Sequence, residues 1–217
     1  MRSRLGGLAV IAVSWFSPTL RAEDAPTLVR GTPSEVRAML DIPYRAGKDA
    51  DPSKHKLDLF VPKDRTGFPV LFFIHGGAWT MGDRKWFDTL GPVFARNGVG
   101  AVIVSYRLSP KVVHPAHIED VAAAFAWTHK NIAKHGGRPD RIFVCGQSAG
   151  GHLTALLETN AKYLKPHGLS PRDIRGAIPI SGVFKIGPGL SRRAFGSDPE
   201  MLADASPLSR IDGAQPP

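Results

Sequence analysis

Cysteine is almost absent from this chain, because Cys145 is the only one among 217 residues. No disulfide can therefore form within the chain, and since Cys145 ends an apolar, strand-like run, we expect a buried, inert thiol. Patterns of metal ligands are also missing. There is no cysteine pair and no HExxH sequence, and His75, His114 and His117 fall on different predicted elements. The sequence predicts neither a metal site nor a bound cofactor.

Clustered basic residues are lacking as well. The net charge is +9, yet no block of Lys and Arg is interleaved with aromatic residues. This favours a basic, soluble surface over a nucleic-acid-binding one, so we expect no nucleic-acid partner. With 42% hydrophobic and 22% charged residues, the composition is ordinary for a soluble globular protein, and 217 residues suit one domain better than two. The sequence carries no signal for an oligomeric state.

No apolar run is long enough to cross a bilayer. The run "LGGLAVIAVSWF" near the N-terminus is well short of the ~20 residues that a spanning helix needs. It follows two arginines and precedes "SPTLRAEDAP", with Ala22 as the candidate cleavage point, an order typical of a secretory signal peptide. We predict a signal peptide at 1–22, an irregular mature N-terminus at 23–40, no stable membrane anchor and a secreted or periplasmic location. A membrane anchor and a buried N-terminal helix are the alternatives.

The remaining apolar residues form short runs of two kinds. "HKLDLFVP" alternates apolar and polar residues, which predicts a half-buried strand, with "IPYRAG" as a candidate antiparallel partner. Four later runs, "PVLFFIH", "GAVIVSYR", "RIFVCG" and "RGAIPIS", are almost continuously apolar. Such runs are typical of strands covered on both faces in a parallel sheet.

Helical patterns separate these later strands. Apolar residues recur at helical spacing in "HIEDVAAAFAWTHKNI" and "SAGGHLTALLETNAKYL", and a less regular helix is predicted over residues 85–97. Strands alternating with helices predict an α/β fold, a three-layer sandwich around a mostly parallel sheet with right-handed crossovers. In such folds the active site lies beyond the carboxyl ends of the strands.

Ser148 follows one of these strand ends, in the sequence Gly146-Gln147-Ser148-Ala149-Gly150. This is the G-x-S-x-G pattern of a nucleophile elbow, in which a strained turn exposes the hydroxyl and the two glycines avoid collisions with neighbouring backbone. The N-terminus of the following helix directs N–H groups and its positive dipole end towards any negative charge that forms there. Ser148 is therefore the candidate nucleophile. The alternative is a helix N-cap serine in a tight turn.

The sequence "HGGAW" follows another strand end. A glycine turn there exposes the backbone N–H groups of Gly77 and Ala78, which together with that of Ala149 could form an oxyanion hole. The alternative is a purely structural turn. We expect His75 to hold the loop in shape, and Trp79 either to line the substrate pocket or simply to pack.

Together, "HGGAW", "VSYRLSP", "HPAHIEDVAAAFAW" and "GQSAGGHL" resemble the α/β-hydrolase superfamily. The resemblance is to the esterase branch with an HGG-type oxyanion loop: hormone-sensitive-lipase-like carboxylesterases, feruloyl-esterase-like domains and kynurenine formamidases. It covers Asp41 to about Ile211 and implies an α/β-hydrolase domain at 41–217. The loop reads HGGA rather than HGGG, but alanine retains its N–H.

The resemblance also implies roles for single residues. Ser148 would form an acyl-enzyme with a small-molecule ester, and Gly77, Ala78 and Ala149 would donate to the oxyanion. Asp120 and Trp127 match positions that are structural in such enzymes.

A base and an acid are not evident in the sequence. In α/β-hydrolases they follow the nucleophile, yet only His152 and His167 lie downstream of Ser148. His152 is one helical turn along the predicted helix, and His167 lies in a connector before the last strand, so neither suits the role. The resemblance implies that the acid, the base, two strands and two helices would lie beyond residue 217. The domain is then incomplete, with an apolar sheet edge after "RGAIPIS".

Three functions remain open at this point. The first is a serine esterase whose present chain alone is inactive or weakly active. The second is an amide or formamide hydrolase on the same fold, since the two motifs do not separate esters from amides. The third is a non-catalytic, hydrolase-like binding module, which the missing base favours and the intact elbow opposes.

Overall fold

The computed structural model of the protein describes residues 33–190 and 192–211. The predicted signal peptide and residues 23–32 lie outside the described residues. A six-stranded sheet has the order β1-β2-β4-β3-β5-β6. Its strands are β1 (Val36–Pro43), β2 (Lys56–Pro62), β3 (Phe68–Ile74), β4 (Gly100–Val104), β5 (Gly137–Gln147) and β6 (Gly176–Ile180). The β1–β2 and β2–β4 pairs are antiparallel, whereas β4, β3, β5 and β6 run parallel.

Helices cover both faces of the sheet. They are α1 (Leu90–Arg96), α2 (Ala116–Asn131), α3 (Ala149–Thr159), α4 (Arg192–Phe195) and α5 (Pro199–Asp204). The larger apolar cluster lies between the sheet and α2 and α3, with Phe72, Phe125 and Leu153 in its centre. A smaller cluster on the other face packs α1 against Phe60 and Phe73. The predicted three-layer α/β sandwich with a mostly parallel sheet is therefore confirmed.

The prediction of a half-buried β2 is wrong. Leu57 and Leu59 face the larger cluster as the alternation predicts, but the opposite face of the strand is buried too. There Phe60 packs so closely on α1 that a Cβ at Gly91 would lie 2.1 Å from its ring. Asp58 on the same face is paired with the buried Arg84, at 2.9 Å from its Nε. A polar residue in the alternation thus marks a buried ion pair rather than solvent.

The irregular N-terminal segment predicted at 23–40 is also corrected in its last part. Strand β1 already begins at Val36, which is paired with Pro62 of β2. Only the first two residues of the predicted partner "IPYRAG" belong to this strand, where Ile42 is paired with Leu57 and Pro43 with Lys56. The segment "VRAML" lacks a regular apolar alternation because β1 is an edge strand that buries little, so its pairing was not visible in the sequence.

Two further features concern the ends of elements. Helix α3 ends at Thr159, five residues before the predicted end, because Asn160 adopts an extended backbone and its side chain caps the next turn. Strand β6 forms the other edge of the described sheet, where Ile178 and Ile180 are 47% and 46% exposed. This is the apolar edge expected after "RGAIPIS". None of the described helices combines the length and apolar character that crossing a bilayer requires.

Candidate active site

Ser148 lies in the turn that joins β5 to α3. Its backbone has φ 57° and ψ −117°. Non-glycine residues rarely adopt this strained conformation, and those that do are found mainly at functional sites. Two bonds hold the turn in place: the N–H of Ser148 donates to the carbonyl of Ile180 at 2.8 Å, and its carbonyl accepts from the N–H of His152 at 2.9 Å. The Ser148 side chain makes no capping bond to α3. Ser148 does occupy the N-cap position of α3, but this half-buried residue does not cap the helix with its side chain.

The glycines around Ser148 are required by close backbone approaches. A Cβ at Gly146 would lie 2.4 Å from the carbonyl oxygen of Gly150, and one at Gly150 would lie 2.0 Å from that of Ile74. Real Cβ atoms do not approach so closely, so α3 can rest on the ends of β5 and β3 only if both residues lack a side chain. This is the packing that the elbow pattern predicts.

The loop after β3 touches the Ser148 turn directly. A Cβ at Gly76 would lie 3.3 Å from the Cβ of Ser148 and 2.6 Å from Oε1 of Gln147. Gly76 lets the two turns meet, a role that was not predicted for it. Its signal was present in the sequence as the first glycine of "HGG".

The same loop offers unpaired backbone donors beside the serine. Thr80 and Met81 close it by donating to the carbonyl of Gly77, each at 3.0 Å. Gly77 and Ala78 have φ of +117° and +48°. Within residues 33–190 and 192–211, the N–H groups of Gly77, Ala78 and Ala149 have no acceptor. The structure therefore brings three free N–H groups to the two turns that meet at Ser148, an arrangement able to stabilise a developing oxyanion.

His75 packs against both ends of this loop. Its ring is buried and stacks on Tyr106 with centroids 4.4 Å apart, and its Nδ1 lies 2.7 Å from the carbonyl oxygen of Gly76. At the far end of the loop, a Cβ at Gly82 would lie 2.3 Å from the same nitrogen. Burial lowers the pKa of His75 to about 4, so the ring is neutral at physiological pH. These contacts fit the expected structural role.

Trp79 packs into the protein interior. Its side chain is buried, its ring lies edge-on to Phe195 with centroids 4.8 Å apart, and its Nε1 donates to Nδ1 of His152 at 3.1 Å. These contacts show the packing role expected for Trp79.

Neither downstream histidine contacts the Ser148 hydroxyl. Both ring nitrogens of His152 are engaged, since Nε2 lies 2.7 Å from the carbonyl oxygen of Ala205. His167 is exposed in a 3-10 turn at 165–167. All eight histidines of the chain lie among the described residues, and none of them is hydrogen-bonded to Ser148. The described residues thus bring Ser148 together with free backbone N–H groups, and no histidine side chain is bonded to it.

The C-terminal acids have other partners. Asp198 caps α5 by accepting from the N–H of Met201 at 2.9 Å, and Asp212 lies outside the described residues. Asp204 accepts from the Tyr163 hydroxyl at 2.8 Å and lies 2.9 Å from Nε2 of the buried His114. Although burial alone would raise it, bonds from Lys162, His114 and Tyr163 hold the pKa of Asp204 well below its ordinary value. The His114–Asp204 pair was not predicted, because 90 residues separate its members.

The fully buried Asp120 is the centre of a network of ion pairs. Its carboxylate accepts from Arg107 at two 2.8 Å bonds, one to each oxygen, and lies 3.2 Å from NH1 of Arg45 and 3.0 Å from Nε2 of His55. This network joins the loop after β4 to the segments before β2 and to α2, which is a structural role. Among the described residues, no group of three His, Cys, Asp or Glu side chains is placed so that it could hold a metal ion.

Comparison with protein families and curated proteins gives one consistent result. Residues 57–168 match the model of the BD-FAE family. Esterase LipQ of Mycobacterium tuberculosis is 34% identical over 199 residues, an alignment that covers 82% of this chain and 46% of LipQ. The probable carboxylic ester hydrolase LipM of the same organism is 37% identical over 175 residues, covering 71% of this chain and 40% of LipM. The chain thus spans less than half the length of these two relatives.

Solved structures with a similar fold are esterases as well. Esterase B from Lactobacillus rhamnosis has a TM-score of 0.70 at 23% identity, with 85% of this chain and 64% of that chain covered. A truncated form of a carbohydrate esterase from gut microbiota has a TM-score of 0.69 at 22% identity, with 85% and 75% covered. At these identities the likeness shows the fold alone, which is the α/β-hydrolase fold.

Proposed function

The chain belongs to the BD-FAE family, and from this premise we propose that it is the nucleophile-bearing part of a serine hydrolase of carboxylic esters. The observation that carries the proposal is the contact between the two turns. Ser148 has a strained backbone and a hydroxyl without a capping bond, and it adjoins a loop with free N–H groups. The relatives LipQ and LipM carry esterase names, which supports an ester over other acyl substrates.

The proposed reaction has two steps. Oγ of Ser148 attacks the ester carbonyl carbon and loses its proton to a base, while the carbonyl π electrons move to the oxygen, which the N–H groups of Gly77, Ala78 and Ala149 stabilise. The C–O bond to the alcohol then breaks, the alcohol takes up the proton, and an acyl-enzyme remains. Water hydrolyses this ester by the same route in reverse, releasing the carboxylic acid and free Ser148.

We propose that the base and its orienting acid lie beyond residue 217. Two observations support this placement. None of the eight histidines of the chain is bonded to Ser148, and the chain covers only 46% of LipQ and 40% of LipM. Without a base, the 217-residue chain should retain only the catalysis that the oxyanion donors and substrate binding provide.

Covalent labelling tests the nucleophile. A fluorophosphonate probe is applied to the 217-residue chain and to a protein extended through the downstream reading frame, each with its Ser148→Ala variant. We expect labelling at Ser148 in the extended protein and labelling slower by roughly 10³-fold or more in the present chain. An extended protein that is folded but does not label at Ser148 refutes the enzyme proposal and leaves the non-catalytic binding module.

Amide hydrolysis is separated from ester hydrolysis by substrate comparison. Both reactions pass through the same kind of oxyanion, so the site geometry serves either one. We expect the extended protein to hydrolyse p-nitrophenyl acetate faster than an aryl formamide. The reverse order would assign it to the formamide hydrolases.

We also propose that the protein is exported after cleavage of residues 1–22. The order of two arginines, a short apolar run and small residues supports this proposal. Expression in a bacterial host and N-terminal sequencing of the mature protein should identify Glu23 as the first residue. An intact N-terminus in the membrane fraction would instead indicate an anchor.

A further inference from the structure

His152 has an unusual set of partners for a residue one helical turn after a candidate nucleophile. It is fully buried, Nδ1 accepts the indole N–H of Trp79 at 3.1 Å, and Nε2 lies 2.7 Å from the carbonyl oxygen of Ala205. An indole N–H can only donate and a carbonyl can only accept. One state of the imidazole satisfies both partners, namely the neutral ring with its proton on Nε2.

Trp79 is the residue through which this ring reaches the oxyanion loop. It directly follows Ala78, and both have left-handed backbone conformations, with φ of +59° and +48°. Neither residue is a glycine, so each conformation costs energy and persists only where the surroundings impose it. The indole supplies that constraint, because it is clamped between Phe195 and His152, with ring centroids 4.8 and 5.2 Å away.

We propose that His152 is a positioning residue that, as the Nε2-protonated neutral ring, fixes Trp79 and thereby aims the N–H groups of Gly77 and Ala78 at the oxyanion. The role deepens the proposed ester hydrolysis and rests on it. His152 does not touch the substrate. It acts through the indole, and its bond to Ala205 also ties the loop to the segment at 199–210.

The surroundings of His152 keep it in the required state. Burial lowers its pKa to about 4, and the nearby His114 opposes a positive charge there as well. Protonation would give the ring two donors, and Nδ1–H would then face the Trp79 N–H. Above pH 4 the acceptor at Nδ1 is therefore preserved.

Two substitutions at His152 separate its two bonds. The amide of an asparagine lies close to the Nδ1 position, so His152→Asn can still accept from Trp79 but loses Ala205. His152→Gln reaches the Nε2 position and keeps Ala205 but loses Trp79. Trp79→Phe removes the indole N–H while retaining an aromatic ring, and Trp127→Phe, on α2, is the matched control.

The first readout is independent of catalysis and uses the 217-residue chain. ¹⁵N NMR of the His152 ring should show a protonated Nε2 and an unprotonated Nδ1. Amide hydrogen exchange of Thr80 and Met81, whose N–H groups close the loop, should accelerate about fivefold or more in His152→Gln and Trp79→Phe, the factor expected for one lost buried hydrogen bond. His152→Asn and Trp127→Phe should leave this exchange close to wild type. A protonated Nδ1, or loop exchange unchanged by Trp79→Phe, would overturn the proposal.

The second readout is kinetic and uses the extended protein. His152→Gln and Trp79→Phe should each lower kcat by about tenfold with little change in KM, because the N–H groups act in the transition state. The double variant should be no worse than either single variant, since both remove the same bond. Additive losses in kcat would refute the role of this bond. If the extended protein is inactive while loop exchange responds as expected, the esterase proposal fails and the coupling of His152 to the loop stands.

Discussion

At Ser148 and its neighbours, single atoms decide whether the site can form. Gly150 cannot carry a side chain, because a Cβ there would lie 2.0 Å from the carbonyl oxygen of Ile74 at the end of β3. Gly76 likewise leaves room for the Cβ of Ser148. These contacts set the distance between the two turns. The size of the residues at positions 76 and 150 therefore determines whether the two turns can meet.

Gly150→Ala tests this requirement. Its Cβ would lie 2.0 Å from backbone, which cannot move as a flexible side chain can, so we expect the free energy of unfolding to fall by about 1–3 kcal/mol or more. Gly187→Ala is the matched control, since nothing lies within 4 Å of a Cβ there. Urea denaturation measures both. Equal stability of the two variants would show that the approach of α3 to β3 is not as close as described.

Several elements are joined by ion pairs to one buried carboxylate. The carboxylate of Asp120 on α2 connects Arg107, after β4, with Arg45 and His55, before β2. Although burial alone would raise it, hydrogen bonds from His55 and Arg107 lower the pKa of Asp120, so the carboxylate is ionised at neutral pH. A buried charge of this kind stabilises the arrangement of elements only while all its partners are present.

Asp120→Asn should uncouple these elements. The neutral amide leaves Arg107 without its two charged bonds, and removing one partner of a buried pair costs about 3 kcal/mol or more. Thermal unfolding should show a clearly lower Tm. Asp140→Asn is the control, because Asp140 is exposed and pairs with Arg138, two residues away, so its Tm should not change measurably. A wild-type Tm in Asp120→Asn would contradict the structural role of the network.

For the whole molecule, three buried histidines make stability depend on pH. Burial lowers the pKa values of His75, His117 and His152 to about 4, against 6.5 for the free side chain. Between pH 4 and 6.5, these histidines bind protons in the unfolded chain but remain neutral in the folded chain. Acid therefore favours unfolding over this range.

The free energy of unfolding should accordingly fall as the pH decreases from 6.5 to 4. Each of the three histidines contributes up to about 3 kcal/mol, and the contribution is fully present above pH 6.5. Urea denaturation at pH 7.5, 5.5 and 4.5 measures the slope. His152→Asn should reduce the slope of the free energy of unfolding against pH by the contribution of one of the three histidines. Stability independent of pH across this range would mean that these rings are accessible to protons in the folded state.

Much of the site could be predicted from the sequence because its signals are local. The glycines of "GQSAGG" and "HGG" lie next to the strand ends that they serve, so a short pattern contains both the turn and its cause. The alternating strand β2 shows where such local interpretation fails. Its polar Asp58 meets Arg84, 26 residues away, and no pattern within the strand could distinguish that partner from water.

The sequence by itself therefore determined the α/β architecture, the strained turn at Ser148 and the glycine loop that faces it, because each depends on the size and polarity of adjacent residues. Only the tertiary structure decided the partners of the buried polar groups. His152 meets Trp79 and Ala205 across 73 and 53 residues of chain. Such contacts depend on how elements pack in three dimensions, and a polar side chain in a helix pattern does not reveal which distant group will satisfy it.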